Sequence, residues 1–362
     1  MTRQTTLTLL LTSLLTTQTQ ADPKILTCAD VECPIVPNTT SANCTVLGTE
    51  YTAIGILPLD PLPPDAITDR QTAETTLQGL SWTKAVGTDD FSREERRFRQ
   101  GFFLGTPPEF DSLVDGTKTD ACALLFTQVA PIVRLDKGGS SHVAPQGTCS
   151  DALSSECVAA LTRRAEGVDL AGLAGQEACD KLRGEFVGGG EAGGGLDEEC
   201  ARFVTGDQQR WTGVRARALV GEGAVEAVGA GENGTTNCWP VWPREDGLRV
   251  VGEVETTGDY DATTLQRNLL GATPILTVFY PVNSNKGNGN GNNENNGNNG
   301  LVSRATAQLT CVQVSDLTTA SNETMVPGEH DDNGDSSAIR MMGGSQVAMW
   351  GALMAVVFVF WG

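Results

Sequence analysis

The sequence predicts an α+β fold: a single disulfide-stapled domain with β-rich ends and a short-helical, cysteine-containing middle. Three observations predict it. Aromatic and β-branched stretches bounded by Gly, Pro and Asp lie towards both ends of the chain. Helix-forming stretches, each carrying a cysteine, occupy the middle. The cysteines number ten, an even count: Cys28, Cys33, Cys44, Cys122, Cys149, Cys157, Cys179, Cys200, Cys238 and Cys311. With no CxxC pair to suggest zinc or a redox centre, they read as up to five disulfides formed in an oxidising compartment. Spacing does not choose among the roughly 945 pairings that such a set allows.

Taken in order, the chain opens with MTRQTTLTLLLTSLLTTQTQA. Arg3 supplies one positive charge, Leu7 to Leu15 form an apolar core, and Thr19 and Ala21 occupy the small-residue positions that signal peptidase reads. This predicts a signal peptide over residues 1–21, cut after Ala21. The competing reading, a first core helix, fits poorly, because so short a run between threonine clusters packs little surface. Four sequons agree with export: Asn38, Asn43, Asn233 and Asn322 each head an N-x-S/T tripeptide. Asn43 adjoins Cys44, so disulfide formation competes there with glycan addition.

From Leu57, LPLDPLPPDAITD carries closely spaced prolines and predicts an extended, irregular path. Strands are expected over 79–86, 97–106 and 121–133, then over 273–282 and 307–314. Between them SDALSSECVAALTRRAEG, GQEACDKLRGEF and LDEECARFV predict three short helices. In each, an apolar residue follows the cysteine by three or four places: Leu161 after Cys157, Leu182 after Cys179, Phe203 after Cys200. Each pair therefore shares a helix face, and the near-regular cysteine interval suggests a degenerate repeat. Short helices bury little by themselves, which disulfides offset. The glycines of GGGEAGGG (188–195) cost too much entropy for an ordered element. The tract NSNKGNGNGNNENNGNNG (283–300) reads as a solvated loop expanding the turn of a hairpin between the two late strands. Closure entropy grows only logarithmically with loop length, so such an insert costs little. These readings place one domain over residues 22–317 and a polar stalk over 318–336.

The last seventeen residues, QVAMWGALMAVVFVFWG, are uncharged. Val347 to Trp361 is shorter than the roughly 20 residues of a spanning helix. Small residues, a short polar spacer and a terminal apolar run form the pattern of a GPI-attachment signal. Ser336 is the expected attachment residue, followed by Ser337 and Ala338, with Gly334 as the alternative. Residues 337–362 are then a propeptide, and the mature chain is held to the membrane by lipid. A short tail anchor and a buried terminal helix are the competing readings.

Charge excludes some partners. With 45 Asp and Glu against 25 Lys and Arg, the formal net charge is -20, which repels nucleic-acid phosphates and anionic lipid heads. Two histidines, His142 and His330, leave little room for His-based metal or triad chemistry. In GEGAVEAVGAG (221–231) Glu226 stands where a dinucleotide loop needs its third glycine. DDNGD (331–335) lacks the later glutamate of a calcium loop. In GGSSHVAP, Ser140 and Ser141 adjoin His142, whereas a triad converges from separate segments. Asp89, Asp90, Glu94, Glu95, Glu198 and Glu199 offer carboxylates for a glycosidase, but no spacing singles out a pair. CWPVWP (238–243) is the most suggestive stretch. Trp239 and Trp242, stiffened by Pro240 and Pro243 and tied down at Cys238, present flat rings suited to stacking on sugars. The alternative is that the tryptophans pack into the core.

With FFLGTPPEF (102–110), ACALLF (121–126), ILTVFYP and AQLTC, the sequons and the anchor signal, the chain resembles secreted, GPI-anchored cell-surface glycoproteins of filamentous fungi. The resemblance brings no catalytic residues. It departs from the compact eight-cysteine haem-binding surface domain, whose cysteines are closer together, so no cofactor or metal is expected. The expected function is that of a non-enzymatic cell-surface or cell-wall glycoprotein on the outer face of the plasma membrane, its partners wall polysaccharide or surface proteins. The alternatives are a wall-polysaccharide-binding module acting through Trp239 and Trp242, and an extracellular acid glycoside hydrolase.

Overall fold

The segment TDACALLF, β6 (Thr119–Phe126), is buried at every position. Strand side chains alternate between faces, so burial throughout means that both faces of its sheet are covered. A computed structural model of the chain shows by what. It describes residues 27–33, 35, 43–68, 73, 77, 79–90, 95–111, 118–135, 147–188, 196–205, 210–228, 236–259, 262–282 and 300–314. These belong to a unit spanning Met1–Val326.

One sheet contains β6, β7 (Val214–Val220), β9 (Thr273–Pro281) and β10 (Thr306–Val312), in the order β10-β9-β6-β7. The other contains β3 (Ala53–Pro58), β4 (Ser81–Asp90), β5 (Glu95–Thr106) and β8 (Gly247–Asp259), in the order β3-β4-β5-β8. Every pairing in both is antiparallel. The sheets face each other. Ala121, Ala123 and Leu125 of β6 share a core with Trp82, Phe102 and Val251 of the second sheet. Trp82 is fully buried, and its indole N–H donates to Thr277 Oγ1 at 3.0 Å across the sandwich. A buried indole keeps its stabilisation only when that N–H is satisfied.

Cys122, Leu124 and Phe126 of β6 point the other way, into a core shared with a helical layer. That layer comprises α1 (Cys149–Leu153), α2 (Ser155–Glu166), α3 (Gly175–Val187) and a 3₁₀ turn (Glu198–Phe203). Ser154 caps α2 by accepting the Cys157 N–H, and α2 buries Cys157, Ala160, Leu161 and Ala165, a stripe at helical spacing. Phe186 of α3 meets Phe126 edge-to-face, with ring centroids 5.6 Å apart. Three disulfides tie this layer together: Cys122–Cys179, Cys149–Cys311 and Cys157–Cys200. The outer face of the second sheet is covered by residues 27–33, by the hairpin of β1 (Cys44–Val46) and β2 (Thr49–Tyr51), and by the loop after Cys238. Disulfides Cys28–Cys44 and Cys33–Cys238 fasten it. Gly101 is needed here: a Cβ would lie 2.6 Å from the Tyr51 hydroxyl, which donates instead to Glu253 Oε1 at 3.0 Å.

The fold is thus mixed α and β, with strands predominating and all ten cysteines paired. Several expectations change. The middle of the chain is not only helical, because β7 and β8 follow the helices. Both are edge strands, and their exposed arginines and glutamates, with the interspersed glycines of β8, hide the alternation from a local reading. β1 to β3 precede the proline-rich run, and α4 (Ala262–Leu270) links β8 to β9. The strand expected over 121–133 ends at Phe126, and the third helix is a 3₁₀ turn. No repeat joins the three cysteines: Cys157 pairs with Cys200, whereas Cys179 reaches β6. β9 and β10 pair antiparallel as expected, Thr273 against Val312 and Phe279 against Thr306. The 283–299 tract, residues 1–26 and residues 315–362 lie outside the described residues, and with them the leader, the stalk, Ser336 and Gly334. Among the described residues no helix is long and apolar enough to cross a membrane.

Candidate functional site

The loop CWPVWPREDG (238–247) runs across the outer face of the second sheet into β8, braced at almost every residue. Cys238 is bridged to Cys33, and the Trp239 N–H donates to the Cys33 carbonyl at 2.9 Å. The Pro240 carbonyl accepts from Thr83 Oγ1 at 2.5 Å. Val241 is buried against Gly105, whose Cβ would sit 2.9 Å from it. The Trp242 N–H donates to Ser81 Oγ at 3.2 Å, and the Trp242–Pro243 peptide is cis. Trp239 closes the loop by donating its indole N–H to the Asp246 carbonyl at 2.8 Å.

This bracing places the two tryptophans between the sequence-level alternatives. Both are half-buried, packed on the core of the outer face. Pro240 and Val241, between them, turn inward. A loop held by a disulfide, side-chain hydroxyls and main-chain bonds loses little entropy when something stacks on it.

Carboxylates gather beside the tryptophans. Asp246 is 4% exposed, and its Oδ2 is buried with no hydrogen-bond partner. Burial, together with the charges of Glu245 and Glu109, pushes its carboxyl up to about 6. Nearby, Asp111 pairs with the buried Arg249, whose guanidinium lies over the Phe110 ring. Of the acids that stood out in the sequence, Glu94 lies outside the described residues, and Glu95 is exposed on β5. Glu198 and Glu199 are exposed on the 3₁₀ turn of the helical layer, and the backbone of Asp89 and Asp90 stands opposite that of Arg97 and Arg96 in the β4–β5 register. The signal that could have found the cluster is the Glu245–Asp246 pair directly after the tryptophan loop, although Glu109 joins it only through the fold.

The sign of the Asp246 shift leads to a prediction. The folded carboxyl titrates near 6 and the unfolded one near 3.8, so the folded chain binds more protons between those values. Stability therefore falls as pH rises through that window. Asp246→Asn is expected to stabilise the fold by about 1–2 kcal/mol at pH 7 and hardly at pH 4. Parallel urea titrations at the two pH values read the difference, and an equal effect at both would rule out this titration.

A groove of about 470 Å³ lies between β7 and β8. Leu125, Val214 and Val251 line it, along with Arg183, Arg215 and Arg217. Both strand edges are blunted there. The Gln176 amide bonds the Ala216 carbonyl at 3.3 Å and the Ala218 N–H at 3.0 Å, as a neighbouring strand would. Arg215 donates to the Glu253 carbonyl at 2.9 Å.

Of the remaining sequence candidates, Asn43 is half-buried and its amide donates to Glu50 Oε1 at 2.5 Å, so a glycan there must displace that contact. The stretch 221–228 follows β7 but opens no helix, the element a dinucleotide loop leads into. Asn38, Asn233, Asn322, His142, His330 and residues 331–335 lie outside the described residues. No protein-family model, no curated protein and no solved structure matches the chain.

Proposed function

We propose that the chain is a non-enzymatic, GPI-anchored cell-surface glycoprotein whose Trp239–Trp242 corner contacts neutral wall polysaccharide. The observation that carries this reading is the pair of half-buried tryptophans three residues apart on a braced loop. Indole faces stack on the apolar C–H faces of sugar rings, and exposed carboxylates such as Glu109 and Glu245 accept sugar hydroxyls. A net charge of -20 suits an uncharged polymer better than a polyanion. The signal peptide, the sequons and the terminal anchor pattern put the domain on the outside of the cell, where such polymers are found.

The test is a pull-down of the secreted chain on insoluble glucan and chitin. Trp242→Ala is expected to weaken retention about tenfold or more, a loss of at least about 1.4 kcal/mol. Trp239→Ala is expected to do the same, and both should leave the far-ultraviolet circular dichroism unchanged. Equal retention of wild type and variants, or no retention by any, would show that the corner is structural.

A second reading, an acid glycoside hydrolase, is favoured by one observation: Asp246, raised to about 6, lies close to Glu245 and Glu109. A carboxyl kept protonated at mildly acid pH can serve as general acid, with a neighbouring carboxylate as base or nucleophile. Glucan turnover at pH 5 that disappears in Asp246→Asn supports this reading; turnover equal to the background without protein removes it.

A further inference from the structure

Four of the ten cysteines do something the other six do not. The sulfurs of Cys28, Cys33, Cys44 and Cys238 all lie within 4.8 Å of one another, and the four residues are at most 2% exposed. The two disulfides lie in contact, with Cys44 Sγ 3.8 Å from Cys33 Sγ. Among the described residues this is the one such cluster of metal-ligating side chains. The remaining cysteines form three separate pairs.

We propose that Cys28, Cys33, Cys44 and Cys238 form a tetrathiolate zinc site in the reduced chain, the same four sulfurs closing as two disulfides on oxidation. Zinc binds four thiolates tetrahedrally at about 2.3 Å, which sets neighbouring sulfurs about 3.8 Å apart. A cluster spanning no more than 4.8 Å encloses that tetrahedron after small side-chain adjustments. The local chain suits it. Cys28 and Cys33 are separated by four residues, within the spacing that structural zinc sites use for paired cysteines. The Cys33 N–H donates to the Cys28 carbonyl at 2.9 Å, and Glu32, at φ 51°, turns the chain just before Cys33. Thr27 steadies the turn by donating its N–H and its hydroxyl to Asp30 Oδ2 at 2.9 and 2.8 Å. Cys44 comes from β1 and Cys238 from the tryptophan loop.

The two states interconvert with balanced chemistry. Two molecules of a dithiol deliver four electrons and four protons, each becoming a cyclic disulfide, and four cysteine thiols result. Zn²⁺ then binds as those thiols release four protons to solvent. In the reverse direction two molecules of a small-molecule disulfide take up the four electrons, with four protons from solvent, each becoming two thiols, and Zn²⁺ leaves to solvent as the two protein disulfides close. In either state the N-terminal turn, β1 and the tryptophan loop are held at one point. The site therefore braces the outer layer before oxidation and after reduction, whatever ligand Trp239 and Trp242 meet.

The experiment uses the full secreted chain, reduced without denaturant by a dithiol, desalted without oxygen and titrated with Co²⁺ in place of zinc. The expected result is one equivalent of tetrahedral cobalt per chain, seen as thiolate-to-cobalt charge transfer with intense visible bands, and displaced by Zn²⁺. Zinc is also expected to protect four of the ten cysteines from alkylation, identified by peptide mapping as Cys28, Cys33, Cys44 and Cys238. Cys28→Ser with Cys44→Ser should lower the stoichiometry at least tenfold, whereas Cys122→Ser with Cys179→Ser should leave it near one. Reduced wild type that gives no tetrahedral cobalt spectrum, folded or not, overturns the proposal. So does a spectrum that survives in Cys28→Ser with Cys44→Ser.

Discussion

Replacing Cys149 and Cys311 together by alanine is expected to destabilise the fold by about 4–5 kcal/mol, the largest loss from any one staple of the helical layer. The bridge joins residues 162 apart, tying α1 to β10 at one edge of its sheet. A cross-link restricts the unfolded chain in proportion to the logarithm of the loop it closes, so this long loop outweighs Cys157–Cys200, with a separation of 43, which is worth about 4 kcal/mol by the same relation. Alanine is the cleaner replacement, because Cys149 and Cys311 are 6% and 1% exposed and a serine there would bury a hydroxyl. Urea unfolding of the double variant reads the loss. A change below about 1 kcal/mol would mean that packing alone holds α1 against β10.

The second large effect has the opposite sign. Lys84→Met is expected to stabilise the fold by about 2–3 kcal/mol at pH 7 and to remove most of that gain by pH 10. Lys84 lies on β4 opposite Phe102, is 2% exposed, and has its ammonium nitrogen 2.7 Å from the Gly271 carbonyl that accepts from it. One acceptor for three donor hydrogens leaves a buried cation poorly compensated. Burial accordingly pushes the amine down to about 7 from 10.5. Between those values the unfolded chain binds the extra proton, so stability rises with pH across the window and the full cost applies below it. Methionine keeps the length of the side chain and removes the charge; the Gly271 carbonyl loses its donor, which trims the gain. Chemical denaturation of both proteins between pH 6 and pH 10 tests this. A variant less stable than wild type at pH 7 would show that the amine is better satisfied than a single carbonyl allows.

What was legible in the sequence follows from how local the signal is. TDACALLF and TPILTVFYP read as strands because both are buried on two faces, which produces an unbroken apolar run. The segments around Cys157 and Cys179 read as helical because burial at three- and four-residue spacing is a property of one segment, although the first breaks at Ser154, at φ 72°, into α1 and α2. The β9–β10 hairpin survived an insertion in its turn for the same reason, since each strand carries its own pattern. Two features of the candidate site were also present locally: the tryptophan spacing in CWPVWP, and the acidic pair that follows it.

By itself, then, the sequence determined the buried strands, two of the helices, the even cysteine set and the acidic charge, all properties of single segments or of composition. Only the tertiary structure decided which sulfurs meet. Cys33 pairs with Cys238 across 205 residues, and Cys44 Sγ reaches Cys238 Sγ across 194. It alone brought Glu109 to Asp246 and buried Lys84. It alone turned β7 and β8 into edges whose open groups are closed by Gln176 and Arg215. The physical reason is common to all of these. Period and composition report on neighbours within a few residues, whereas pairing, desolvation and edge protection depend on residues far apart in the chain that touch only after two sheets have packed face to face.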